Sequence, residues 1–96
     1  MELYIFGRFH AREGQENAIA DGVREVVRLT REEPGCIAIN GFRSLRDPRL
    51  FYIHARWADV ETFEVHARQP HTRSFLKMVE PIIDHPLDIT RAEVIG

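Results

Sequence analysis

The sequence has little cysteine, little excess charge and no long apolar run. Its single cysteine, Cys36, cannot form an internal disulfide. The 13 basic and 15 acidic residues give a formal net charge of -2. The chain therefore has no excess of positive charge with which to bind nucleic acid or an anionic membrane. No apolar stretch approaches the roughly 20 residues that span a bilayer, and Met1-Glu2-Leu3 lacks the basic start of a signal peptide. We therefore expect a cytoplasmic protein that binds neither nucleic acid nor a membrane.

Motifs for resident cofactors are also missing. The sequence has no Gly-rich phosphate loop or Rossmann fingerprint, and no His-x-x-x-His or Cys-x-x-Cys pattern. Five histidines are present, but His66 and His71 are five positions apart across Pro70 and match no recognisable ligand set. We therefore expect no bound nucleotide, metal or other cofactor.

The 96 residues, 44% of them hydrophobic, have room for one core, so a single domain spanning residues 1–96 is expected. Breaks at Glu33-Pro34-Gly35, at Arg46-Asp47-Pro48-Arg49 and at Pro70 divide the chain into elements. In the first helix, Ile19, Val23, Val26, Val27 and Leu29 recur near helical spacing. Asp59 is placed to cap the second helical region. The patterns predict strands at 3–10, 36–45, 50–57 and 86–95, a helix at 15–31 and a broken helical region after Asp59.

The order strand, helix, two strands, helix, strand predicts an α+β fold of the ferredoxin-like βαββαβ type. Both helices would pack on one face of an antiparallel sheet. The other face would carry Tyr4, Phe6 and Tyr52, an apolar patch that a monomer should not leave in water. We therefore expect a homodimer that forms through the sheet faces.

Several motifs together resemble one known family. They are Phe9 through Gly14 (Phe-His-Ala-Arg-Glu-Gly), Thr30 through Cys36 (Thr-Arg-Glu-Glu-Pro-Gly-Cys), Asp47-Pro48 before an aromatic strand ending in Trp57, and His66 with Pro70-His71 and Phe75. Over nearly its whole length the chain resembles the antibiotic biosynthesis monooxygenase family. The resemblance implies a dimeric α+β barrel with one pocket per subunit, between sheet and helices. It also implies oxidation of a quinol-like or polyketide-like aromatic by molecular oxygen, without a cofactor.

His66 is the candidate acid/base residue, because the ordinary pKa of histidine lies near working pH. Its structural alternative is a helix histidine held by a backbone or carboxylate contact. Trp57 could stack on a planar ligand or fill the core. The remaining candidates for substrate binding are Asn40, Phe75, His71 and Gly7.

Departures from the family pattern leave other functions open. Ala55 stands where relatives often have a carboxylate, and Ile39 where they often have an aromatic, so the choice of substrate is not carried over. Haem-degrading relatives depend on three residues that this chain lacks. At the corresponding positions it has Gly7, His66 and about Leu76. The main alternative is a non-enzymatic dimeric module that binds a small hydrophobic metabolite. An enclosed cavity that His66 and Trp57 face would favour the enzyme.

Overall fold

The computed structural model describes residues 1–96, which form one four-stranded sheet and three α-helices. In chain order the elements are β1 (Leu3–His10), α1 (Glu16–Thr30), β2 (Cys36–Arg43), β3 (Leu50–Trp57), α2 (Val60–Ala67), α3 (Pro70–Val79), a short 3-10 turn (Glu80–Ile82) and β4 (Asp88–Ala92). The sheet order is β2-β3-β1-β4, and every pairing is antiparallel. The predicted ferredoxin-like α+β fold is confirmed.

Two strands are shorter than the sequence predicts. β2 ends at Arg43, because the chain then turns at Ser44, whose hydroxyl accepts hydrogen bonds from the backbone N–H groups of Arg46 and Asp47. β4 spans only Asp88–Ala92, since that is the length over which it pairs with β1. The predicted break at Pro70 is confirmed, with Pro70 in the first turn of α3, where its missing N–H costs nothing.

α1 is the longest helix, with 15 residues, and its buried residues lie on one face. These residues are Ile19, Ala20, Val23, Val26, Val27 and Thr30. Leu29, which the periodicity assigned to this face, is only half-buried, and Thr30 is fully buried beside it. None of the helices combines the length and apolar character that crossing a membrane requires.

The two faces of the sheet differ in what they bury. On the face covered by the helices, strand alternation directs Ile5, Phe9, Phe51 and Trp57 into a core of 17 buried hydrophobic residues. The outer face exposes large hydrophobic side chains. They include Phe6 (49% exposed), Phe42 (50%) and Tyr52 (40%). The outer sheet face is therefore the apolar patch that the sequence predicts.

Candidate active site

A cavity of about 110 Å³ lies between the inner face of the sheet and the three helices, and ten of its fourteen lining residues are hydrophobic. The lining residues are Ile5, Gly7, Phe9, Ile39, Ile53 and Ile89 from the sheet, Val26 and Thr30 from α1, Phe63, His66 and Ala67 from α2, and Thr72, Phe75 and Leu76 from α3. At Gly7 an added Cβ would lie 3.1 Å from Cε2 of Phe9. The missing side chain of Gly7 therefore helps to keep the cavity open.

α2 presents His66 to this cavity. The helix begins at Asp59, whose Oδ1 accepts a hydrogen bond from the backbone N–H of Thr62 at 2.8 Å, so the predicted cap is confirmed. Phe63 and His66 are three positions apart and share the inward face of the helix. Behind the imidazole lies Trp57, with ring centroids 4.8 Å apart and an interplanar angle of 35°. The position of His66 is thus fixed by the helix start and by a buried indole.

A single carboxylate oxygen of Glu33 joins His66 to His71. Oε2 of Glu33 lies 2.7 Å from Nδ1 of His66 and 2.8 Å from Nε2 of His71. The side chains of Glu33, His66 and His71 are only 10%, 12% and 20% exposed. An ionised carboxylate only accepts hydrogen bonds, so both imidazoles donate to it. The three residues form a largely buried triad at the edge of the cavity.

The triad determines which nitrogen of His66 can act as a base. Because Nδ1 donates its proton to Glu33, the neutral imidazole carries its lone pair on Nε2. Nε2 has no hydrogen-bond partner in the protein, and the ring lines the cavity. A buried carboxylate that orients a histidine in this way also stabilises the imidazolium formed when the base takes up a proton. The arrangement therefore suits proton abstraction from a bound ligand.

The loop after α1 places Glu33 against the second helix. Gly35 has φ +86°, and a Cβ added there would overlap the side chain of Thr62. The carbonyl of Gly35 accepts a hydrogen bond from the N–H of Ala58 at 2.8 Å, at the end of β3. Glycine is required at this position, because both the backbone conformation and the close approach to α2 exclude a side chain.

The structure brings only some of the predicted site residues to the cavity. Gly7, His66 and Phe75 line it, and the Phe75 ring meets Phe9 edge to face at 5.5 Å. Trp57 is fully buried behind His66 and does not line the cavity. His71 contacts Glu33 but likewise lies outside the lining.

Asn40 lies away from the cavity. It is exposed on β2, where its Oδ1 accepts a hydrogen bond from Nη2 of Arg31 at 3.0 Å. The reason is a bulge between Cys36 and Ala38, which shifts the phase of the strand so that Ile39 points inward. Strict alternation from Cys36 would instead have turned Asn40 inward.

Sequence reasoning missed two residues, Glu33 and Thr30. The sequence indicates Glu33 only as part of a helix end, although a carboxylate beside a Pro-Gly turn can meet a distant histidine. Thr30 lies four positions after Val26, and this helical spacing was a signal for the inward face. Thr30 is fully buried, and its hydroxyl has no hydrogen-bond partner.

The triad also has the composition of a metal site, since its three ligand atoms lie within 4.8 Å of one another. Two histidines and a carboxylate can hold iron or zinc. Metal bonds of about 2.0–2.2 Å keep neighbouring ligand atoms roughly 3 Å or more apart. The separations of 2.7 and 2.8 Å are instead those of hydrogen bonds. The turn between α2 and α3 nevertheless brings together two histidines whose sequence spacing matched no ligand set.

A second histidine cluster lies outside the cavity lining. Nδ1 of His10 is 2.7 Å from Oδ2 of Asp84, and its Nε2 is 2.8 Å from Oδ2 of Asp47. The hydrogen bond to Asp84, followed by that to Asp47, raises the pKa of His10 above its ordinary value. Both ring nitrogens are occupied, so this histidine is an ion-pair partner and has no free nitrogen for a ligand.

Comparison with known proteins adds a family and a fold. Residues 3–78 match the family model described as antibiotic biosynthesis monooxygenase. The structure of Rv0793 from Mycobacterium tuberculosis is similar with a TM-score of 0.93 at 18% identity, over 100% of this chain and 97% of that chain. PA3566 from Pseudomonas aeruginosa gives a TM-score of 0.90 at 23% identity, over 99% and 95% of the two chains.

A third crystal structure, named as an antibiotic biosynthesis monooxygenase, gives a TM-score of 0.90 at 19% identity, over 98% of this chain and 99% of that chain. No curated protein matches the chain. At these identities the likeness to solved structures shows the fold alone.

Proposed function

Because the chain belongs to the antibiotic biosynthesis monooxygenase family, we propose that it oxidises a quinol-like or polyketide-like aromatic with molecular oxygen and needs no metal or organic cofactor. The observation that carries the proposal is the state of His66. This residue lines an apolar cavity, donates through Nδ1 to buried Glu33 and leaves Nε2 without a partner. It is placed to take a proton from a ligand in the cavity.

The reaction needs little more from the protein than this base and a dry site. Nε2 of His66 removes a proton from the aromatic, and the electron-rich anion forms a carbon–oxygen bond with O₂ to give a peroxide. The imidazolium returns its proton to the distal oxygen. The O–O bond then breaks, and the distal oxygen leaves as water, which takes its second hydrogen from the oxidised carbon as that carbon becomes a carbonyl. The substrate supplies all the electrons, one oxygen atom enters the product and the other becomes water.

The apolar lining contributes by excluding water. Charge that develops on the substrate anion then meets fixed protein groups rather than solvent, which strengthens its interaction with the imidazolium. Glu33 stabilises that imidazolium through Nδ1, at 2.7 Å. Phe75 and Leu76 form the apolar wall on α3 against which a planar ring would pack.

The proposal includes a homodimer packed through the outer sheet face, in a reducing cytoplasm that suits a single free thiol. Phe6 and Tyr52 are exposed on this face, and the His54 ring stacks on Phe6 with centroids 4.7 Å apart. Burying such a patch against a second copy would remove it from water. A monomer in sedimentation experiments at micromolar concentration would contradict this part of the proposal.

A module that only binds a small hydrophobic metabolite remains the alternative, because an apolar cavity suits a ligand as well as a substrate. Of the two residues expected to face the cavity only His66 does, and its bond to Glu33 is also the contact of a helix histidine held for structure. The unpaired Nε2 beside the cavity favours the enzyme, since a histidine held only for structure has no need of a free nitrogen there. Haem degradation is less favoured, because the cavity of about 110 Å³ is much smaller than a haem and both candidate iron ligands, His66 and His71, are bonded to Glu33.

Oxygen uptake by chelator-treated protein, with hydroquinone, a naphthohydroquinone and an anthrone, tests the proposal. We expect uptake above the autoxidation blank, lowered by about 10²- to 10⁴-fold in His66→Ala. His10→Gln, which alters the other histidine cluster, should keep its rate. Uptake no faster than the blank would favour the binding module. Activity that chelation removes and added iron restores would favour a metal site at the triad.

A further inference from the structure

The hydroxyl of Thr30 is buried in the cavity wall without a partner. Thr30 is 0% exposed, and its Oγ1 neither donates nor accepts a hydrogen bond in the protein. A helix threonine ordinarily bonds the backbone carbonyl three or four residues back. A buried hydroxyl that lacks a partner is costly, so its presence in an apolar wall calls for an explanation.

An inventory of the cavity isolates two free polar atoms. Apart from Gly7, the residues of the lining that are not hydrophobic are Thr30, His66 and Thr72. The Thr72 hydroxyl lies 3.2 Å from Nδ1 of His66, beside the bond to Glu33. Oγ1 of Thr30 and Nε2 of His66 are therefore the polar side-chain atoms of the lining that have no hydrogen-bond partner in the protein, and the Thr72 oxygen can only accept from Nδ1.

We propose that Thr30 is a binding residue that selects the substrate: its hydroxyl donates a hydrogen bond to a second oxygen of the aromatic whose first hydroxyl faces His66. This inference rests on the proposed function for the role of His66. The ligand class is accordingly an aromatic with two oxygen substituents, one acidic and one that accepts a hydrogen bond. The hydrogen bond would fix which carbon of the ring meets oxygen.

The size of the cavity narrows the class further. Its volume of about 110 Å³ is below the roughly 150 Å³ of an apolar protein cavity that accepts benzene. In the observed arrangement the site therefore accommodates at most one ring, with any further ring directed to the opening. Single-ring phenols are consequently the right probes for the contact with Thr30.

The test compares the binding of 4-methoxyphenol and 4-ethylphenol, which are similar in size and acidity and differ in the oxygen that Thr30 would contact. Binding is measured by NMR chemical-shift titration of wild type, Thr30→Val, Thr30→Ser and Thr90→Val, a matched change at an exposed residue outside the cavity lining. We expect wild type to bind 4-methoxyphenol about two- to tenfold more tightly, as one net hydrogen bond gives. Thr30→Val should remove the preference, whereas Thr30→Ser and Thr90→Val should keep it.

A preference that survives Thr30→Val would overturn the proposal. So would the absence of a preference in wild type, or a failure of wild type to bind either phenol. Because binding is measured without turnover, the result is separable from the proposed function. A preference without oxygen uptake would leave Thr30 as a ligand contact in a binding module, whereas uptake without a preference would remove only the role of Thr30.

Stability gives a second readout on the ligand-free protein. If the hydroxyl is held for a ligand, Thr30→Val removes an unpaired polar group and should raise the thermal midpoint. If instead the hydroxyl has a structural partner, the same variant should lower the midpoint. A lower midpoint would count against the proposal even if the variant binds neither phenol.

Discussion

The two histidine clusters use the same residue types and differ in how many imidazole nitrogens the carboxylates occupy. Around His10, carboxylates take both nitrogens, at 2.7 and 2.8 Å. Around His66, a carboxylate takes Nδ1 alone and Nε2 has no partner. The first arrangement holds a charged ring as an ion pair. The second orients a ring whose remaining nitrogen is available to a ligand.

The two clusters also differ in how far their carboxylates are exposed to solvent. His10 joins the end of β1 to Asp47 in the β2–β3 turn and to Asp84 before β4, and both carboxylates are more than a third exposed. His66 lies beside an apolar cavity, and its carboxylate partner is 10% exposed. A histidine next to a carboxylate is therefore a weak functional signal until its second nitrogen is accounted for.

Glu33→Gln should produce the largest change among the tests of this comparison. The amide cannot bear the charge that stabilises the imidazolium, and its NH₂ group can turn toward Nδ1 and force the proton of His66 onto Nε2. We expect kcat for oxygen uptake to fall by about 10²-fold with little change in KM. Asp84→Asn, the matched change in the other cluster, should leave kcat unchanged. Equal losses in the two variants would remove the distinction between the clusters.

Gly35→Ala should lower stability, because it disturbs the loop that carries Glu33. The variant places a Cβ at φ +86° and against Thr62, so we expect a loss of about 2–3 kcal/mol in the free energy of unfolding. Gly14 has φ +84° but nothing within 4 Å of an added Cβ. Gly14→Ala should therefore cost only about 1 kcal/mol. Urea unfolding of both variants measures the difference, and equal losses would show that the contact with α2 has no effect.

The His10 cluster should give the smallest effect, a pH-dependent one. Hydrogen bonds to Asp84 and Asp47 raise the pKa of His10, so its contribution is complete below the ordinary value of 6.5 and is lost as pH rises through the raised pKa. The His10 bond lowers the pKa of Asp84, whose contribution is lost as pH falls below its ordinary 3.8. Stabilisation is therefore greatest between these values.

Unfolding midpoints of wild type and His10→Gln, measured from about pH 5 to above the raised pKa of His10, test this pH dependence. Two other residues also face the cluster. Arg49 lies 3.6 Å from Asp84, and the ring of His85 accepts a hydrogen bond from the backbone N–H of His10, so neither residue is substituted in this comparison. The two proteins should differ most at about pH 5 and converge as the pH rises through the raised pKa of His10. A difference that grows with pH would contradict the assigned charge of His10.

Local patterns predicted the fold. The strand at 50–57, the cap at Asp59 and the break at Pro70 are short-range signals that depend on residues within a few positions of one another, and all are confirmed. His66 and Phe75 were instead candidates through the family resemblance, and both line the cavity.

The remaining parts of the site depend on contacts that no local pattern contains. Glu33 and His66 are 33 positions apart, and they meet because Gly35 brings its loop against α2. The bulge after Cys36 reverses the sheet face on which Asn40 lies. A single inserted residue cannot be recognised from the residue types of the strand. Thr30 was overlooked in favour of Leu29, because a hydrophobic residue is the ordinary occupant of a buried helix position.

The most direct test of the central claim is ¹⁵N NMR of the imidazole rings in mildly alkaline buffer, which reports the proton position on each nitrogen. The shared carboxylate oxygen of Glu33 predicts opposite tautomers for its two partners, with the proton on Nδ1 in His66 and on Nε2 in His71. Both preferences should weaken in Glu33→Gln. A proton on Nε2 of neutral His66 would contradict the account, because no base would then face the cavity.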